Sequence, residues 1–92
     1  MANLSDYDVA VVGLGPTGMT AAALLANMNH RVVVFERYEG LYGLPRAGHV
    51  DHEIVRILQD LGVHEQFLAD AFETEDYKWY NRDREVILSF PW

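Results

Sequence analysis

There is no cysteine anywhere in the 92 residues, which removes disulfides, thiolate catalysis and cysteine-held metal sites from consideration. Basic residues are scarce. Seven lysines and arginines face fourteen acids, a net charge of −7, whereas a nucleic acid partner needs a basic face. No apolar run approaches the length that crosses a bilayer, and Met1 to Asp6 lacks the basic stretch and apolar core of a secretory signal. A soluble, cytoplasmic protein is therefore expected. Internal repeats and low-complexity segments are missing too. Half the residues are hydrophobic and 23% are charged, a balance that argues against disorder and suits a chain that builds a core. The length allows one small domain at most.

What is present is concentrated between Tyr7 and Glu36. An apolar run, Val9 to Val12, leads into Gly13-Leu14-Gly15-Pro16-Thr17-Gly18; a small-residue segment, Thr20 to Met28, follows, and a second apolar run, Val32 to Phe35, closes on Glu36. This strand, glycine turn, helix and strand ending on an acid form the fingerprint of a dinucleotide-binding βαβ unit. Gly13 permits the tight turn, Gly15 lets a pyrophosphate approach the backbone, and Gly18 lets the helix lie close to the sheet. Pro16 suits the first helical turn. The free N–H groups of that turn, Thr17 included, face a phosphate at the positive end of the helix dipole. Glu36, 23 residues after Gly13, is placed to accept hydrogen bonds from ribose hydroxyls.

Taken in order, the chain predicts a strand over Asp6 to Val12, a helix from Pro16 to about Asn29, a turn at Asn29 and His30, and a strand over Arg31 to Glu36. Met19, Ala22, Ala23 and Ala26 are available for packing on the sheet. The segment Arg37 to Gly48, with Gly40, Gly43, Pro45 and Gly48 and the aromatic Tyr38 and Tyr42, reads as a functional loop. An amphipathic helix is expected from about Asp51, as its start residue, to Leu61, with Gly62 as its C-terminal cap. A short helix, Val63 to about Ala69, should carry Phe67 and Leu68 inward. The remainder reads as a hairpin, Asp76 to Tyr80 and Glu85 to Phe90, with a polar turn at Asn81-Arg82-Asp83 and with Pro91 ending the second strand. Val9 to Val12 is apolar on both faces, the pattern of a strand covered on both sides, yet the sequence supplies only one parallel partner. Residues 1–92 are therefore expected to be the N-terminal part of a larger protein's domain.

These residues resemble a known family, the class A FAD-dependent aromatic monooxygenases of the para-hydroxybenzoate hydroxylase group, with particular likeness to 3-(3-hydroxyphenyl)propionate hydroxylases. The likeness rests on Gly13 to Gly18, on Val34-Phe35-Glu36-Arg37, and on Leu44-Pro45-Arg46-Ala47 leading into Asp51-His52-Glu53 and Arg56-Ile57-Leu58-Gln59, closed by Gly62-Val63. It implies an α/β fold: a Rossmann-like βαβ FAD-binding unit, part of a doubly wound sheet, followed by two helices and a β-hairpin. It implies FAD as cofactor, NADH or NADPH as co-substrate, and a phenolic aromatic acid and O2 as partners. By residue, Gly13, Gly15 and Gly18 would line the FAD pyrophosphate and Glu36 would bind the adenosine ribose. Arg37 would lie along the adenine end, Arg46 would contact the cofactor, and Ala47 and Gly48 would run near the ribityl chain or flavin ring. The chemistry would be the cofactor's, so no catalytic side chain is assigned. The family's later Asp-Gly and Gly-Asp motifs lie outside these residues, so the segment alone is expected to be inactive.

Other readings remain open at this point. Another Rossmann flavoprotein or NAD-linked oxidoreductase shares the glycine motif, although Leu44-Pro45-Arg46-Ala47 argues against it. A non-catalytic nucleotide-binding module is the second alternative. His49 and His52 have acids beside them but no third ligand at a clear spacing, so no metal is expected. His30 and His64 read as surface turn residues. Tyr77, Trp79 and Tyr80 suit strand packing better than stacking on a substrate. Exposed strand edges leave a homodimer open.

Overall fold

The computed structural model describes residues 3–46 and 48–91, and within them the elements follow the expected order. A 3-10 turn, Leu4–Asp6, comes first and was not foreseen. Asn3 Oδ1 accepts from Ser5 N and the Asp6 carboxylate accepts from Asn3 N, so Asp6 serves a cap rather than the strand. Strand β1 is accordingly short, Val9–Val12. Helix α1 spans Pro16–Asn27 and β2 spans Val32–Phe35. Helix α1 stops before the expected boundary because Asn29 turns left-handed, with φ 64°, and His30 N reaches back to Leu25 O at 3.1 Å.

Strands β1 and β2 pair in parallel, Val9 opposite Val32 through Val12 opposite Phe35. Their entry ends are fastened by a contact that the sequence did not announce. The Asp8 carboxylate takes Arg31 in a fork, Nη2 to Oδ1 at 2.7 Å and Nε to Oδ2 at 3.2 Å, while Arg31 N also donates to Oδ2 at 2.8 Å. The guanidinium, then the backbone amide, hold the Asp8 carboxyl at about 2 against an ordinary 3.8. A depressed carboxyl of this kind stabilises the fold above its ordinary value and loses that contribution as pH falls through its folded value. Carbon-13 NMR of Asp8 should therefore show a midpoint near 2, rising in Arg31→Met but stopping short of 3.8, because the residue 31 amide still donates to the carboxylate. An unchanged midpoint in the variant would remove the clamp from the account.

Helix α2, His52–Asp60, starts where Asp51 Oδ1 accepts from Ile54 N at 2.9 Å. It ends on Gly62, φ 74°, with Val63 N bonded to Leu58 O and Gly62 N to Gln59 O, both at 3.0 Å, the paired closure that a left-handed glycine allows. Helix α3 is His64–Ala69, so His64 belongs to a helix and is half-buried rather than an exposed turn residue. Strands β3, Asp76–Tyr80, and β4, Val86–Pro91, pair antiparallel. Their turn is built on Asn81, whose Oδ1 accepts from Asp83 N and Glu85 N, both at 2.9 Å. Strand β4 ends at Pro91 as expected, with the proline itself its last residue, paired opposite Asp76.

The larger departure concerns cover. Helix α1 packs on both strands of its unit, α2 packs on α3, and β3 on β4, but among the described residues no element of one group packs closely on another. Among the described residues none is buried. The radius of gyration is 17.9 Å, against about 12 Å for a compact domain of this length. Strand β1 is covered on one face only: Val9 and Val11 lie toward α1, while Val12 on the other face is 86% exposed. Ala26 and Met19 are exposed rather than packed on the sheet, and Leu68 is exposed where Phe67 is half-buried. The result, among the described residues, is a mixed α/β chain of two small sheets and three α-helices.

Candidate functional site at the glycine turn

The site begins where β1 ends. Gly13 N donates to Phe35 O at 2.8 Å, extending the strand ladder by one bond, and Gly13 then adopts φ 101°, a backbone that L side chains rarely take. Gly15 is the extended N-cap residue of α1, Pro16 occupies the first turn, and Met19 N bonds back to Gly15 O at 2.9 Å. The amides of Thr17 and Gly18 therefore stand at a helix start where no preceding helical carbonyl reaches them. Gly18 sits against the turn: a Cβ there would fall inside the contact distance of the Gly13 carbonyl oxygen and 3.5 Å from Val11 Cγ1. Gly15 is the opposite case. No atom lies within 4 Å of the place its Cβ would occupy.

The Glu36 carboxylate bridges this turn to the chain leaving β2. Oε2 accepts from Leu14 N at 2.7 Å and Oε1 accepts from Tyr38 N at 3.0 Å. The Leu14 amide, then the Tyr38 amide, hold the carboxyl below its ordinary value, so the group stays ionised at neutral pH. The loop after β2 brings two cations to the same place. Arg37 lies over the Tyr38 ring, 4.7 Å from its centroid, and Arg46 lies over the Tyr42 ring at 3.9 Å.

Turn, carboxylate and loop border a half-open cavity of about 720 Å³. Of the residues chosen from the sequence, it gathers Gly13, Gly15, Pro16, Glu36, Arg37 and Arg46. Thr17 and Gly18, in the first turn of α1, are not among the residues that line it. Gly48 is not brought to it. That residue lines a second cavity, about 820 Å³, with His49, His52, Phe72 and Tyr77, where the His49 and Tyr77 rings meet at 5.6 Å. Ala47 lies outside the described residues. Sequence reasoning missed the tyrosine partners of the two arginines, and it missed Met19, whose side chain lines the first cavity instead of the sheet. The only available signal was the interleaving of Tyr38 and Tyr42 with Arg37 and Arg46.

A helix N-terminus, two guanidinium groups and one ionised carboxylate around a single space suit a ligand that is anionic in one part and rich in hydroxyls in another. The chain belongs to the FAD binding domain family, which it matches over residues 6–89. It is 53% identical over 81 residues to a probable NADH-specific resorcinol 4-hydroxylase of Rhodococcus jostii (strain RHA1), covering 88% of this chain and 15% of that protein. It is 34% identical over 82 residues to a 3-(3-hydroxy-phenyl)propionate/3-hydroxycinnamic acid hydroxylase of Mycobacterium avium (strain 104), covering 89% and 14%. A thiamine thiazole synthase of Pyrobaculum neutrophilum is 42% identical over 80 residues, covering 78% and 30%. The chain thus spans about 15% of the length of the aromatic hydroxylases it matches. No solved structure matches it. Among the described residues, no helix is long and apolar enough to cross a membrane.

Proposed function

We propose that this chain is the N-terminal part of the FAD-binding domain of a flavoprotein monooxygenase that uses NAD(P)H, with NADH favoured, and O2 to hydroxylate a phenolic ring. The observation that carries the reading is the meeting of the glycine turn, Glu36 and two arginines around one cavity. The open space over Gly15 fits a diphosphate lying against bare backbone. In this reading the amides of Gly15, Thr17 and Gly18 and the Arg46 guanidinium hold the diphosphate. Glu36 accepts from the adenosine ribose hydroxyls with the lone pairs that Leu14 and Tyr38 leave free, and Arg37 borders the adenine. The bare face and free edge of β1 take further layers of a doubly wound sheet. Bound FAD supplies the redox chemistry, while the protein binds, orients and excludes water.

The preference for a phenol and for NADH follows the names of the two hydroxylases above, resorcinol and 3-(3-hydroxyphenyl)propionate being the first substrates to try. The identity to a thiamine thiazole synthase favours a second reading, a dinucleotide-binding enzyme of other chemistry, since that likeness includes no hydroxylase. One assay separates the two. The intact protein, purified with its flavin absorbance recorded, is given NADH and each phenol, and NADH oxidation, O2 uptake and hydroxylated product are followed. Flavin with phenol-stimulated turnover supports the proposal; flavin without it favours the second reading; absence of flavin refutes both the cofactor and the enzyme. Arg46→Met should weaken FAD binding to the apoprotein about tenfold or more, the loss expected for one charge-assisted contact to phosphate. Fluorescence titration measures it, and unchanged affinity would take Arg46 out of the site.

A further inference from the structure

Five arginines of this chain have a side-chain partner of one of two kinds. Arg31, Arg56 and Arg82, all away from the glycine-turn cavity, pair with the carboxylates of Asp8, Glu53 and Asp83. Arg37 and Arg46, which line it, lie instead over tyrosine rings. The difference matters chemically. A carboxylate partner cancels the guanidinium charge and occupies its N–H edge, whereas an aromatic face orients the plane and leaves both charge and edge available. Glu36, the carboxylate of the cavity, has engaged both oxygens with the Leu14 and Tyr38 amides. No carboxylate among the described residues pairs with Arg46.

We propose that Tyr42 is a positioning residue of this site: its ring face holds the Arg46 guanidinium, uncancelled, at the cavity wall where a nucleotide diphosphate is received. The inference rests on reading that cavity as a dinucleotide site. Tyr42 acts through Arg46 and touches no reacting atom. An arginine on a glycine-rich loop otherwise spreads over many rotamers, and ordering it at the moment of binding costs affinity. The stacked geometry, 3.9 Å from guanidinium carbon to ring centroid, removes part of that cost beforehand.

The test is a double-mutant cycle in the intact apoprotein, with dissociation constants for FAD and for ADP, which carries the adenine, ribose and diphosphate without the flavin. Tyr42 is 54% exposed, so its replacement leaves the fold intact, and thermal melts of each variant check this. Tyr42→Phe keeps the ring face and should stay within about twofold of the parent, while Tyr42→Leu should bind both ligands about three- to fivefold more weakly. In an Arg46→Met background, Tyr42→Leu should add nothing. Equal losses in Tyr42→Phe and Tyr42→Leu would assign the effect to the hydroxyl and overturn the proposal. So would an undiminished loss in the Arg46→Met background, or no loss in Tyr42→Leu. A parent protein that binds neither ligand overturns the dinucleotide reading itself, a result distinct from these.

Discussion

Gly18→Ala is expected to strip the protein of FAD and to lower its melting temperature together. The new Cβ would collide with the Gly13 carbonyl oxygen and stand 3.0 Å from the Gly13 carbonyl carbon. Both are backbone atoms, so no side chain can swing aside. Either α1 moves off the sheet or the Gly13 peptide rotates. Each movement disturbs the bond from Gly13 N to Phe35 O and the reach of Leu14 N to Glu36. Overpacking of this kind costs about 3 kcal/mol, equivalent to about a hundredfold in affinity if the binding geometry bears it. Gly15→Ala is the informative contrast. Its Cβ meets nothing within 4 Å, and the backbone at φ −78°, ψ −175° is open to any residue. Melting should stay at or slightly above the parent value. FAD affinity should nevertheless fall about tenfold or more, because the methyl group occupies the space assigned to the diphosphate. Thermal melts of the apoproteins with flavin titrations give all four values. A Gly15→Ala protein that binds FAD normally would show that the diphosphate lies elsewhere, and a Gly18→Ala protein that melts normally would show that the turn yields.

The contrast between these glycines marks what the sequence can convey. Gly13, Gly18, Asp51 and Gly62 act on atoms within a few residues, or across one turn, and their identities encode that directly. The βαβ unit, the boundaries of α2 and the hairpin were legible for that reason. Val12 shows the limit. Its run of apolar neighbours says that both faces of β1 need cover, but not what supplies it, and among the described residues only α1 packs on it beside its partner strand. The loop from Arg37 to Gly48 has no periodicity to read. Its composition marked Arg46 and Gly48 alike, yet they line different cavities. The Asp8–Arg31 fork spans 23 residues, and nothing local joins its ends. For Glu36 the spacing placed the carboxylate correctly at the end of β2 but said nothing of its bonds to two backbone amides.

Those bonds give Glu36→Gln its expected effect, which exceeds the loss of one contact to a ribose. Each carboxylate oxygen accepts from a separate amide, Oε2 from Leu14 and Oε1 from Tyr38. A carboxamide offers one accepting oxygen and one donating nitrogen, so one backbone N–H must face another donor. The turn and the loop after β2 then lose the group that ties them, and, in the proposed reading, the ribose loses its charged acceptor. FAD affinity should fall about ten- to a hundredfold, with Glu36→Asp, which keeps the charge on a shorter arm, in between. The pH dependence separates this account from one in which glutamate must be protonated to bind. Because the Leu14 and Tyr38 amides hold the carboxyl below its ordinary 4.5, its contribution is complete above that value and is lost only as pH falls through the lower, folded one. The ratio of dissociation constants, Glu36→Gln over parent, should therefore be flat from pH about 5 to 8 and should shrink only in more acidic solution. A ratio that shrinks across the neutral range would mean that the carboxyl titrates there, and that the two amide bonds do not hold it ionised.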